Sequence, residues 1–482
     1  VLPSILLPAS ALAAETAFVL SPVVAVDLAR DRQAEDTVEA WTRLDARAAG
    51  GDESGRWQLA IRAEHALRVG SPDGGGDTEA QWWITAGESG WEGPIGPFRL
   101  RAGHLVERWG RLDVLPVADV LNGRDLRAGA FTPVGWQRRP APLARVQAGG
   151  TRARAELTVL PFGAADAGAL WGTDHALVRQ GQAADLAAEA STWSGDALTE
   201  STAQALAQAL SQALRELDPQ LRQGLDAGLA GSGRPRPLDA SVDVGLRTEW
   251  EGERVDVALS GAWMRNRQPA PVAAPTLVAL LRDQRLPGLA DQEALLAAAA
   301  RPLSTEWPRT AFGALEAGTT AGPFGLRGEV GAWSARTVPR RWLQAGTSPA
   351  VAAGLGVDWA PTTATLVAAE VRWDELLAPP DDPFLVAPRD VALGLVARTA
   401  LARERVGLAV GGQYSTAFGE LIVRPEATFR ASDAVEVGLG AAVLTGGPPT
   451  PTSLRGALAH AGGPGSYWGD TDAVTASLKW IR

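Results

Sequence analysis

Cysteine is absent from the sequence. That excludes a disulfide framework, a thiolate metal site and a cysteine nucleophile. Lysine occurs once, as Lys479, so the 45 basic residues are almost all arginine. Coding bias in a GC-rich genome accounts for much of this, but the planar guanidinium fork also suits carboxylate pairing on a polar wall. The formal net charge is -10 with no basic cluster, which argues against a nucleic-acid partner. Although 46% of the residues are hydrophobic, no run of about 18–20 apolar residues exists, so no transmembrane helix is expected.

Catalytic chemistry is equally scarce. His65, His104, His175 and His460 are scattered without metal-ligand spacing. There is no H-E-x-x-H, G-x-S-x-G or Walker loop. A non-enzyme with no cofactor and no metal is the expectation. An energised siderophore transporter is not expected either, because no TonB-type box or plug is recognisable before the first strand. Asp73-Gly74-Gly75-Gly76-Asp77 reads as a hairpin tip, with a calcium loop as its rival.

What the sequence has is alternation. Segments of about 10–13 residues alternate apolar and polar side chains, as strands with two unlike faces must. Trp57, Leu59, Ile61, Ala63 and Leu67 oppose Arg56, Gln58, Arg62, Glu64 and Arg68. Val255, Val257, Leu259, Gly261 and Trp263 oppose Arg254, Asp256 and Ser260. The connections between segments alternate short and long, as the two ends of an outer-membrane barrel do. Gly149–Arg152, Ala321–Phe324 and Ser432–Ala434 are short; Arg108–Pro140, Pro161–Leu238, Arg267–Pro308, Thr337–Pro349, Glu375–Pro388 and Thr445–Gly469 are long. Trp41, Trp82, Trp91, Trp250, Trp263, Trp359, Trp373 and Trp480 lie near predicted strand ends, as aromatic girdles do.

The expected fold is an all-β transmembrane antiparallel β-barrel of about eighteen strands, sixteen being the next count, with helical insertions in the extracellular loops. Residues 1–14 read as a signal-peptide remnant with an A-x-A site at Ala11-Leu12-Ala13. Residues 15–482 then form one barrel, with large outer-loop inserts at 108–140, 161–238 and 267–308. Both chain ends are expected on the periplasmic side of a Gram-negative outer membrane. Leu206, Leu210, Leu214, Leu217, Leu221 and Leu225 recur at spacings of three and four, which predicts an amphipathic helix in the longest insert. A second helix is predicted over Asp291–Ala300.

The most distinctive stretch runs from Arg108 to Arg127. Trp109-Gly110 precedes Asp119-Val120-Leu121-Asn122, with Asp125 three residues on. This stretch resembles a family of largely uncharacterised proteobacterial outer-membrane porin-like barrels. Gly123 stands where that family usually has proline. The resemblance covers about 20 residues and implies fold and location more than substrate. Arg108, Arg111, Asp119, Asn122, Arg124, Asp125 and Arg127 are the constriction or mouth-loop candidates. The stretch is read either as a structural loop folded into the mouth or as an arginine-lined eyelet that selects anions.

Strand parity assigns the inward face. Arg62, Glu64, Arg99, Arg101, Arg154, Glu156, Arg247, Glu249, Glu370, Arg372, Arg424 and Glu426 are the pore-lining candidates. A lipid-facing arginine at mid-membrane would cost about 2–4 kcal/mol, which forces most of these inward. Mixed signs on adjacent strands predict cross-strand ion pairs. Two functions fit: an outer-membrane channel for passive diffusion of small polar solutes, or a plugged barrel that anchors an outer-membrane complex. Expected partners are lipid and lipopolysaccharide, the barrel-insertion machinery, and a homo-oligomer or larger outer-membrane complex.

Overall fold

The computed structural model describes residues 15–27, 38–52, 54–69, 78–127, 138–162, 165–168, 177, 212, 216, 242–283, 303–451, 453–469 and 472–481. The signal-peptide remnant, the 73–77 hairpin tip and the 291–300 helix lie outside the described residues. Of the helix expected over 206–225, only Gln212 and Glu216 are described. Both are helical, and the Gln212 amide donates to the Glu216 carboxylate at 2.9 Å, one turn away.

The first half of the wall comprises β1 (Glu15–Asp27), β2 (Val38–Asp52), β3 (Gly55–Val69), β4 (Thr78–Ala86), β5 (Ser89–Ile95), β6 (Phe98–Leu105), β7 (Ala141–Gly149), β8 (Ala153–Leu160), β9 (Asp243–Glu251) and β10 (Asp256–Arg265). An insert follows, with a separate ribbon of β11 (Ala270–Ala273) and β12 (Leu303–Glu306) and the helix α1 (Pro275–Asp283). The wall resumes with β13 (Arg309–Ala321), β14 (Phe324–Arg340), β15 (Gln344–Thr362), β16 (Thr365–Leu376), β17 (Arg389–Leu401), β18 (Val406–Ser415), β19 (Glu420–Ser432) and β20 (Val435–Gly446). Two short helices, α2 (Leu454–Ala459) and α3 (Pro464–Tyr467), precede β21 (Ala473–Ile481).

Every wall strand except β4 pairs antiparallel with the next one along the chain, and β21 pairs with β1 from Val19↔Ile481 to Asp27↔Ala473. The ladder is therefore a closed ring. Both β4 and β5 pair with β3 and are two parts of one strand. Between them the Gly87 N–H donates to Ala60 O at 2.8 Å, which carries the ladder across a bulge. Counting that pair once, the ring has eighteen strands.

The two faces reverse the soluble rule. Leu259, Leu315, Val330, Leu355, Leu395 and Leu439 are exposed, and Leu355 is 66% so. Their opposite-parity neighbours Arg247, Glu316, Glu329 and Glu370 are buried. Apolar side chains point out and charged ones point in. Trp250, Trp263, Trp359, Trp373 and Trp480 stand exposed near strand ends. The apolar core lies inside the ring, where Trp109, Val117, Ala118 and Leu121 pack against Leu143, Leu160, Met264, Phe312 and Trp333.

One long connection is a strand pair instead. The expected loop Thr337–Pro349 is the outer part of the β14–β15 hairpin, which turns at Trp342 and Leu343 with φ of 63° and 52°. Proline at 339 and 349 disguises it. Pro349 sits beside the register shift between Trp333 and Arg336, where the ladder is locally broken and a missing N–H is tolerated.

Candidate functional site

The chain leaves β6 at Leu105 and returns at β7, and the described part of that connection folds inside the ring. Two wall carboxylates hold it. Glu329 on β14 accepts the backbone N–H groups of Arg111, of Leu112 at 2.6 Å, of Val117 at 2.7 Å and of Ala118 at 2.9 Å. Glu370 on β16 accepts those of Asp113 at 2.9 Å, Val114 at 3.0 Å and Leu115 at 2.7 Å. A loop inside a barrel has no strand partner for its N–H groups, and leaving them bare would cost about 1–3 kcal/mol each. An ionised carboxylate, acceptor-only with several lone-pair sites, satisfies several at once.

The wall makes room for this loop with glycine. A Cβ on Gly245 or Gly354 would stand 2.5 Å from Trp109 or Leu112 respectively. On Gly331, Gly356 and Gly394 it would stand 2.8 Å from Val117, Leu112 and Val114. All five glycines occupy inward positions. The loop's own Gly123 has a matching reason. A Cβ there would collide with the Ala165 carbonyl, so no larger residue fits.

The ends of the loop are tied by side chains. Asn122 Oδ1 accepts the Glu107 N–H at 2.7 Å, and its Nδ2 donates to Leu105 O at 3.1 Å and Arg139 O at 2.9 Å. Arg127 lies between Asp125 at 2.5 Å and Glu64 of β3 at 2.6 Å. Burial pushes the Asp125 carboxyl up, but the hydrogen bonds and charge of Arg127, with the charge of Arg139, together hold the group below its ordinary range. Asp119 is raised by burial against the pull of Arg138, Arg124 and Arg108. Arg138 Nε donates to Asp119 at 3.0 Å. Arg111 reaches Glu249 at 3.1 Å. Arg108 and Arg124 are exposed and make no ion pair among the described residues.

The pore-lining candidates all lie on the inward face, and most are paired. Arg62 meets Asp45 at 3.0 Å, Arg99 meets Glu92 at 2.6 Å and Arg101 meets Glu88 at 2.8 Å. Arg154 Nε donates to Glu249 at 2.8 Å, Arg145 lies 3.5 Å from Glu156, and Arg247 lies 2.8 Å from Glu316. Arg372 pairs with Asp374 at 2.7 Å and donates to Pro116 O of the loop at 2.7 Å. Arg424 and Glu426, neighbours on the inner face of β19, have no ion partner among the described residues.

Some contributors escaped the sequence reading. Glu329 looked like any inward carboxylate, because nothing local marks it as a receptor for backbone over 200 residues away. The run of inward glycines was the available signal. A serine–histidine pair also appears, with His460 Nε2 3.0 Å from Ser466 Oγ. Both are buried, Ser466 also donates to Gly463 O at 3.2 Å, and the neighbouring Glu420 is committed to the N–H groups of Gly463 and Gly465. The pair staples a loop and presents no open nucleophile.

No protein-family model matches the sequence, and no curated protein matches it. Among solved structures, the chain is similar to Acinetobacter baumannii OccAB1, with a TM-score of 0.49 and 8% identity over 97% of this chain and 96% of that one. It is also similar to Salmonella typhi OmpF in complex with daunomycin, with a TM-score of 0.39 and 7% identity over 97% of each chain. A mutant of the Rh. blastica porin gives a TM-score of 0.36 and 9% identity over 97% of this chain and 100% of that one.

Proposed function

We propose that this chain is an outer-membrane channel for passive diffusion of small polar solutes, narrowed by the 106–127 loop. The observation that carries the reading is the closed ring of eighteen strands with apolar side chains outside and ion-paired ones inside. A ring of that size encloses more space than its own side chains fill. Polar inner-face residues on the wall away from the loop, such as Gln413 and Glu426, are exposed. The resemblance of the Trp109–Asp125 stretch to porin-like barrels supports the same reading. In this reading the long connections face outward and both chain ends face the periplasm.

Purified protein in a planar bilayer is expected to give discrete, ohmic conductance steps. A folded barrel with no resolvable steps would favour the anchor reading instead. The membrane part of the proposal has its own test. Leu355→Arg places a charge on the outer face of the longest strand, and is expected to cost about 2–4 kcal/mol if that face meets lipid. Urea unfolding from lipid vesicles measures it, and an unchanged midpoint would argue that the face does not lie in a bilayer.

A further inference from the structure

The loop and the wall beneath it converge on a patch of guanidinium groups. Arg124 and Arg138 are bridged through their backbones, and the Arg138 side chain turns back onto Asp119. Three residues before Asp119, the Pro116 carbonyl accepts from Arg372. Arg372 shares Asp374 with Arg336 of β14, which lies 3.1 Å from that carboxylate. Arg108 and Arg124 lie within electrostatic reach of both Asp119 and Arg138. Five guanidiniums therefore share two aspartates.

The other nearby acids do not complete the pairing. Glu329 and Glu370 are sunk beneath the loop and committed to its backbone N–H groups. Asp113 is paired with Arg327 at 2.7 Å, and Asp166, which accepts the Arg124 backbone N–H at 2.7 Å, is shared among Arg124, Arg267 and Arg139. The cations left over are the exposed ones, Arg108 and Arg124. On β19, a strand that no described hydrogen bond from the loop reaches, Arg424 stands two residues from the exposed Glu426 on the same face, so that stretch of wall is balanced. A cleft with surplus charge of one sign concentrates counter-ions. Planar guanidiniums receive a carboxylate through two parallel hydrogen bonds, which a hydrated ammonium does not do.

We propose that the passage selects small anions, with Arg108 and Arg124 as the station that receives a carboxylate. The proposal rests on the channel reading and names its solute class. It is tested by the reversal potential in a potassium chloride gradient across a planar bilayer, and by adding succinate to one side. Wild-type channels are expected to pass chloride several-fold faster than potassium, and succinate is expected to interrupt the chloride current. Arg108→Gln with Arg124→Gln is expected to remove the interruption and most of the selectivity. Arg424→Gln, which leaves the loop untouched, is expected to keep the succinate effect and most of the selectivity. If the double variant does not fold, as judged by heat-modifiable gel mobility, the wild-type result and the single variants Arg108→Gln and Arg124→Gln decide. Channels that pass both ions equally, or a folded double variant that behaves like wild type, overturn the proposal alone. A folded barrel with no channels overturns the channel reading and the proposal with it.

Discussion

Replacing Glu329 and Glu370 together with alanine is expected to raise the single-channel conductance several-fold and to make it noisy. Between them the two carboxylates receive seven backbone N–H groups from the inserted loop. Hydrogen bonds to a charged acceptor contribute about 1.5–3 kcal/mol each. Removing the acceptors strands a row of donors in a place where the wall offers no substitute. The loop then leaves its glycine-lined bed and the passage widens. Glutamine at either position keeps one carbonyl oxygen, so Glu329→Gln or Glu370→Gln is expected to fall between wild type and the double variant. Loss of protection of the 111–118 segment against protease would accompany the rise. A double variant with wild-type conductance and an uncut loop would show that apolar packing alone holds it.

The second large effect is on stability. Arg127→Met takes the ion partner from buried Glu64 and Asp125 and leaves only the more distant charges of Arg43 and Arg139, which is expected to cost about 3–5 kcal/mol at neutral pH. The sign of the pH dependence follows from Asp125. Burial raises its carboxyl, but the hydrogen bonds and charge of Arg127, with the charge of Arg139, together hold it below its ordinary range. That contribution is complete above the unfolded value of about 3.9 and is lost as pH falls through the lower folded value. Without Arg127 only the charges of Arg139 and Arg43 oppose burial, the carboxyl takes up a proton more readily, and the penalty shrinks on acidification. Urea midpoints of the two proteins are therefore expected to differ most at pH 7 and to converge towards pH 4. A gap that is small or indifferent to pH would mean that Arg127 contributes through packing alone.

The wall was legible because it obeys a local rule. Val255 to Trp263 alternates with charged and small partners, and β10 occupies that stretch. Eighteen strands follow from repeating that rule, because each strand answers to its own two faces. The far end of the β14–β15 hairpin was not legible, since Pro339 and Pro349 normally end strands; Pro349 is tolerated beside an irregular ladder and Pro339 one residue from the end of β14. The loop was visible as a motif, while its seat was not. Val117 and Glu329 are 212 residues apart, and nothing in either neighbourhood names the other. Gly354 and Gly356 did carry part of the answer, because alternate inward glycines imply that something else fills the space. The Ser466–His460 contact arises from how α2 and α3 pack, which residue spacing alone does not reveal.

The pairing of β1 with β21 constrains the order in which this protein comes into being. Val19 meets Ile481, so the ring closes on the contact with the greatest separation along the chain. Contacts of that kind form slowly, because the intervening polymer must be ordered first. Until they form, the first strand presents a row of unsatisfied amides to any other chain nearby. Assembly is therefore a race between closure and mispairing, and its outcome depends on how long that row stays shielded.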